Sequence, residues 1–127
     1  MEKYTTEGTS LTPKINFDFT AGILEISGRC VPENSRQFFL PFFEVLNKYA
    51  LSPKPLTKVV IELEYFNTSS SKEILDVFRV LMDIKEKGNT VNIFWRYEEE
   101  DEEMRETGVE YQLITDLKFE MVPVKDL

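Results

Sequence analysis

Apolar and polar residues alternate with period two over five stretches of this chain and recur every three or four residues over three others. From Lys14 to Phe19, the residues Ile15, Phe17 and Phe19 fall on one side and Lys14, Asn16 and Asp18 on the other, as in a half-buried strand. Thr20-Ala21-Gly22 turns the chain, and Leu24 and Ile26 then oppose Glu25 and Ser27. So short a connection predicts an antiparallel hairpin. Pro32-Glu33-Asn34-Ser35 starts a helix, with Asn34 or Ser35 as its cap and Gln37 placed to complete a capping box with Asn34. Phe38, Phe39, Phe42, Phe43, Leu46, Tyr49 and Ala50 make its buried face, and Pro41 should kink it. Ser52-Pro53-Lys54-Pro55 ends that helix.

A third strand over Thr57 to Phe66 puts Val59, Ile61, Leu63 and Tyr65 on one face and Glu62 and Glu64 on the other. A second helix over Glu73 to Lys87 buries Ile74, Val77, Phe78, Leu81 and Ile84, and it closes on Gly88. Val91, Ile93, Trp95 and Tyr97 alternate with Asn92, Phe94 and Arg96 in a fourth strand. A third helix opens in an acidic run, is less regular around Gly108, and has Met104, Val109, Tyr111 and Ile114 as inner positions. Leu117, Phe119 and Met121 give a fifth strand, ended by Pro123. Residues 1–11 are polar and aperiodic, which predicts a flexible N-terminal segment ahead of a single domain over 12–127.

Helices that join successive strands imply parallel pairing through right-handed crossovers, with only the first strand antiparallel. Strands buried on both faces read as continuous apolar runs, whereas these alternate, so the three helices should lie mainly on one face. The predicted fold is therefore α/β, a single domain with a five-stranded, mixed, mostly parallel sheet, an N-terminal β-hairpin and three helices on one side. The other face, with Glu25, Glu62, Arg96 and Lys118 among its residues, should be wet.

Composition narrows the function. With 127 residues, 42% of them hydrophobic and 13% aromatic, the chain has enough apolar surface for a core and is not a disordered protein. No apolar run approaches the roughly 20 residues that span a bilayer, and the start of the chain does not read as a signal peptide. A single cysteine, Cys30, precludes an internal disulfide and points to a reducing, cytoplasmic setting. The net charge of −8 argues against nucleic acid and anionic membranes as partners. Glu98 to Glu106 alone carry a net −6, with seven acidic residues against Arg105. Such a run is either a solvated helix start or a protein-binding patch.

Catalytic chemistry finds little support. Without histidine there is no Ser-His-Asp or Cys-His nucleophile and no histidine-bound metal, and the five glycines form no phosphate loop. Arg29 beside Cys30 could lower its pKa, but a lone cysteine ending a strand reads as a packed residue. Consecutive helical carboxylates point around their helix and make a poor cation site. We therefore expect no cofactor, no metal and no enzymatic activity.

What remains is Asn67-Thr68-Ser69-Ser70-Ser71, a hydroxyl run between the third strand and the second helix. In an open α/β sheet, ligands gather beyond the carboxyl ends of the strands, where helix N-termini offer free N–H groups. Ser70 followed by Glu73 fits a capping box, yet one cap needs one hydroxyl. The cluster is also placed to bear phosphate, which adds roughly −1.5 to −2 charges. Parallel third and fourth strands would put this corner and the acidic run on one rim. The candidate partner-binding residues are then Asn67, Thr68, Ser69 and Ser70 with Tyr97, Glu98, Glu99, Glu100 and Asp101.

Thr12-Pro13, Pro32-Glu33-Asn34-Ser35, Tyr65-Phe66-Asn67-Thr68-Ser69-Ser70, Trp95-Arg96-Tyr97 and the Glu-rich run up to Met104 together resemble the SiaC family of bacterial regulatory phosphoproteins over about residues 12–122. Members of that family are similar in fold to the STAS domains of anti-sigma-factor antagonists. The resemblance implies that a dedicated protein kinase phosphorylates Thr68, that a PP2C-type phosphatase removes the phosphate, and that the unmodified form binds and activates a diguanylate cyclase. Ser69, Ser70 and Ser71 are alternative acceptors. Other readings are an anti-sigma-antagonist-like partner switch without a cyclase, a small-anion site at the same helix N-terminus, and a constitutive partner joined through the acidic helix or the wet face.

Overall fold

The structure, a computed structural model, describes residues 3–125. Among these residues there are six strands, β1 (Lys3–Thr6), β2 (Lys14–Asp18), β3 (Ile23–Cys30), β4 (Leu56–Phe66), β5 (Thr90–Glu98) and β6 (Lys118–Val124), and three helices, α1 (Ser35–Leu51), α2 (Thr68–Glu86) and α3 (Glu102–Thr115). The strands lie side by side in chain order in one sheet. β3 to β6 pair parallel, and β2 pairs antiparallel with both β1 and β3. Right-handed crossovers that always step the same way deliver every helix to the same side. That side is the apolar one.

Ile15, Phe17, Leu24, Ile26, Val59, Ile61, Leu63, Val91, Ile93 and Trp95 are all buried beneath the helices. A one-residue slip would turn any strand's set to water, and full burial of each large apolar side chain contributes about 1.5–3 kcal/mol. Register is therefore strongly held. Phe39, Phe42 and Phe43 of α1 form a tilted and edge-to-face cluster, and Phe17 packs on both Phe42 and Tyr49. At the other end Trp95, Tyr111, Phe119 and Phe78 repeat the arrangement. The opposite face of the sheet is uncovered and polar, with Arg96 Nε donating to Glu62 Oε1 at 2.8 Å.

Five expectations need correction. Lys3–Thr6 is not a loose end but a sixth strand on β2, with Tyr4 half-buried against the Phe42 ring. It is an edge strand held by backbone pairing, so it carries little apolar periodicity to read. Residues 1 and 2 of the expected flexible segment lie outside the described residues. Tyr65 is exposed rather than inward, because Gly28 pairs with Leu63 but Arg29 with Tyr65. Glu64 is the extra residue of a bulge, and the alternation breaks there. β6 runs through Pro123, which an edge strand tolerates because no ladder donor is lost to an inner neighbour. In α3 the buried positions are Met104, Gly108, Tyr111 and Thr115, whereas Ile114 is exposed. A Cβ on Gly108 would meet Trp95 Cδ1 at 2.5 Å, so glycine lets the helix approach the sheet and takes the inner place assigned to Val109. Finally, α2 begins at Thr68, five residues ahead of Glu73.

Candidate functional site

The corner between β4 and α2 is built from its cap. Asn67 is extended and its Oδ1 accepts from Ser70 N at 3.0 Å, so Asn67 is the N-cap and the capping box assigned to Ser70 and Glu73 does not form. Thr68, Ser69, Ser70 and Ser71 become the first four helical residues, and the helical period sends them in different directions. Ser70 turns fully inward, where its hydroxyl meets that of Ser35 at 3.0 Å. Ser69 Oγ lies 2.8 Å from the same Ser35 hydroxyl and donates to Asn67 Oδ1. Ser71 Oγ donates to Thr68 O at 2.6 Å. Thr68 points outward, and among the described residues its hydroxyl is the one of the four with no side-chain hydrogen bond.

Ser35 is the first residue of α1, whose N-cap is Asn34 accepting from Gln37 N. The hydroxyl cluster therefore ties two helix N-termini together. Behind it, burial pushes the Cys30 thiol up, against a smaller opposing effect of the Ser70 hydrogen bond. Arg29 turns away to Glu64 and the Tyr65 ring. Cys30 is a packed residue here, not an activated one.

Thr68 opens onto a groove of about 530 Å³ between α2 and α3, with Asn67, Lys72, Leu75, Glu110, Tyr111 and Ile114 among its walls. Tyr111 donates its hydroxyl hydrogen to Ser71 O at 2.9 Å across the floor, and burial, aided by Glu110, raises its pKa above the ordinary tyrosine value. Phe66, Thr107 and Glu110 also line a second concavity of about 370 Å³, walled by Glu64, Tyr65, Asp101, Glu103 and Glu106. The two concavities adjoin, with Phe66, Thr107 and Glu110 lining both.

The structure thus brings Asn67 and Thr68 together in the groove and places Asp101 in the adjoining concavity. It does not bring the other candidates there. Ser69 and Ser70 engage Ser35, and Tyr97 is a core residue opposite Pro123. Glu98, Glu99 and Glu100 form the turn into α3, where Glu98 Oε2 accepts from Glu100 N and Glu99 N donates to Val124 O. Asp101 is the N-cap of α3, accepting from Met104 N. Glu103 and Glu106 belong to the acidic run read as a possible protein-binding patch but were not singled out, and Glu110 lies beyond that run, although the three- and four-residue spacing of the three marks a single helix face. Lys72 and Leu75 carried a similar signal on α2, adjacent to its buried stripe.

The sequence profile described as SiaC family regulatory phosphoprotein matches residues 6–124. The chain belongs to the SiaC family. It is 30% identical over 105 residues to an uncharacterized protein of Pseudomonas aeruginosa (strain UCBPP-PA14), covering 83% of each chain. Its fold matches SiaC of Pseudomonas aeruginosa, solved in complex with the diguanylate cyclase SiaD that SiaC activates, with a TM-score of 0.89 at 26% identity over 95% of this chain and 99% of that one. Apo-SiaC matches with a TM-score of 0.88 at 26% identity, over 96% and 99%. This SiaC-family chain has no described helix long and apolar enough to cross a membrane.

Proposed function

We propose that this chain is a phosphorylation-switched binding module that, in its unmodified form, engages and activates a diguanylate cyclase, as SiaC does SiaD. Thr68 is the modified residue in this reading, a cognate kinase adds the phosphate, and a PP2C-type phosphatase removes it. The role is regulatory, not catalytic.

The observation that carries the reading is the contrast between Thr68 and its neighbours. Ser70 is buried, Ser69 and Ser71 are engaged, and Thr68 stands exposed and unengaged at the mouth of a groove. A phosphate there adds about −1.5 to −2 charges to a groove that already holds Glu110, beside a concavity that holds Glu106. The α2 N-terminus and Lys72, one turn along, compensate part of that charge within the protein, so the fold survives while the surface changes.

Two measurements test it. Peptide mapping by mass spectrometry of the protein from its own host, with phosphatase activity blocked, should find phosphate on Thr68. Cyclase assays should show activation by the parent and by Thr68→Ala, and its loss with Thr68→Glu. Equal activation by Thr68→Ala and Thr68→Glu, or an unmodified Thr68 in every growth condition, overturns the switch.

A further inference from the structure

We infer that this chain carries a second binding site, for a small organic monocarboxylate with a short apolar tail, at the end of the sheet opposite Thr68. The site is a concavity of about 480 Å³ where the β2–β3 turn, the last turn of α1 and the loop into β4 meet. β4 runs from this loop, at Leu56, to Phe66 beside the hydroxyl corner, so the length of a strand separates the two places. The inference does not depend on the phosphorylation reading above.

Three observations carry it. First, the concavity is cationic in an acidic chain. Lys48 and Lys54 both line it, no carboxylate does, and among the described residues neither lysine has a carboxylate partner. The concavities beside Thr68, beside Asn34 and on the open sheet face each hold at least one glutamate, in keeping with the net charge of −8. Second, the same lining includes Phe19, Val45 and Tyr49. Apolar walls with a few convergent polar groups, at this volume, are the makeup of a small-molecule site. Third, the site is pre-formed. The Tyr49 hydroxyl meets Thr57 Oγ1 at 2.8 Å and accepts from Lys54 N at 3.2 Å, and Phe17 packs edge-on against both Tyr49 and Phe19. Gly22 closes the adjoining turn so tightly that a Cβ there would meet Leu56 O at 2.8 Å and Tyr49 Oη at 2.9 Å. Walls held in this way lose little freedom when a ligand arrives.

The helix end sets the charge of the ligand. Ser52, in the lining, is the C-cap of α1 and donates its N–H to Tyr49 O, so the last carbonyls of α1 lie at this wall and bring about half a negative charge. Against the two ammonium groups, that leaves room for one negative charge rather than two. A carboxylate meets this condition and a phosphate dianion exceeds it. The hydroxyl of Ser52 is a further donor to the carboxylate, and the tail lies against Phe19 and Val45.

The test is a titration of the ¹⁵N-labelled full chain with hexanoate, compared with hexanamide, acetate and dianionic hexylphosphonate. Hexanoate should shift the amides of Val45, Lys48, Ser52 and Lys54 saturably and bind more tightly than each of the other three. A Lys48→Gln/Lys54→Gln double variant should weaken hexanoate binding at least about tenfold, and Lys48→Arg/Lys54→Arg should restore it. Both lysines are exposed, so the spectra of the free variants should otherwise overlay that of the parent. Thr68→Glu should bind hexanoate as the parent does, which keeps this result separate from the fate of the switch. Equal affinity for hexanoate and hexanamide, tighter binding of hexylphosphonate, shifts scattered over the surface lysines, or indifference to the glutamine substitutions overturns the proposal.

Discussion

Tyr111 of α3 donates its hydroxyl hydrogen to the carbonyl oxygen of Ser71, 2.9 Å away in the first turn of α2. This bond clamps the acidic helix to the turn that bears Thr68, so the two walls of the groove hold one another. A single neutral hydrogen bond of this kind contributes about 0.5–1.5 kcal/mol. Tyr111→Phe should lower the unfolding free energy by that amount in urea titrations, with the slope unchanged.

The same residue sets a pH dependence. Burial, then the charges of Glu110 and Cys30, raises the Tyr111 pKa above its ordinary 10.0 in the folded chain. The unfolded chain therefore ionises this phenol first. Its contribution to stability is fully present below pH 10 and is lost as the pH climbs above it. Thermal midpoints of the parent should fall more steeply above pH 10 than those of Tyr111→Phe. A residual slope should remain from Tyr4, whose pKa burial also raises.

Thr68 and Ser70 should respond oppositely to the same substitution. Thr68 is exposed at the helix N-terminus, so Thr68→Glu should change stability by no more than about 0.5 kcal/mol, helped by the macrodipole. Ser70 is fully buried against Ser35. Ser70→Glu forces an unpaired carboxylate into the core and should cost more than about 4 kcal/mol or abolish folding, as far-ultraviolet circular dichroism would read.

Asn67 organises the corner through its bond to Ser70 N. Asn67→Ala should cost about 1 kcal/mol, whereas Asn67→Asp keeps the acceptor and should be nearly neutral. Chemical denaturation of the two variants side by side distinguishes a cap from a generic polar contact.

Gly108 is held by contact rather than by backbone conformation. The added methyl of Gly108→Ala would lie 2.5 Å from Trp95 Cδ1, and Trp95 Nε1 is fixed by donating to Met104 O at 2.9 Å. Overpacking of about 1–3 kcal/mol should exceed the gain in helix propensity of about 1 kcal/mol. Fluorescence of the single tryptophan should report both the lower stability and the displaced ring.

How far the chain could be read follows from the range of the forces involved. Period-two alternation from Lys14 to Ile26, from Val59 to Leu63 and from Val91 to Tyr97 sufficed for the strands, and its cleanness put the helices on one face, because burial of one side is a property of each strand alone. The aromatic spacing from Phe38 to Ala50 likewise marked α1, and the hydroxyl run marked the corner. Nearest-neighbour chemistry proposed two alternative caps for α1 and the wrong cap for α2. Asn67 and Ser70 both suit an N-cap, and the contact that turns Ser70 inward comes from Ser35, distant in sequence.

By itself, then, the sequence determined five of the six strands and the three helices, the apolar side of most of them, and where hydroxyls meet a helix start, since all three depend on residues a few positions apart. The tertiary structure alone decided that Lys3–Thr6 joins the sheet, that the bulge at Glu64 turns Tyr65 outward, that Gly108 and not Val109 meets Trp95, and that Thr68 shares a groove with Glu110 and Ile114. Each of these is a contact between elements far apart in the chain, and its energy exists only once the sheet has set their separation.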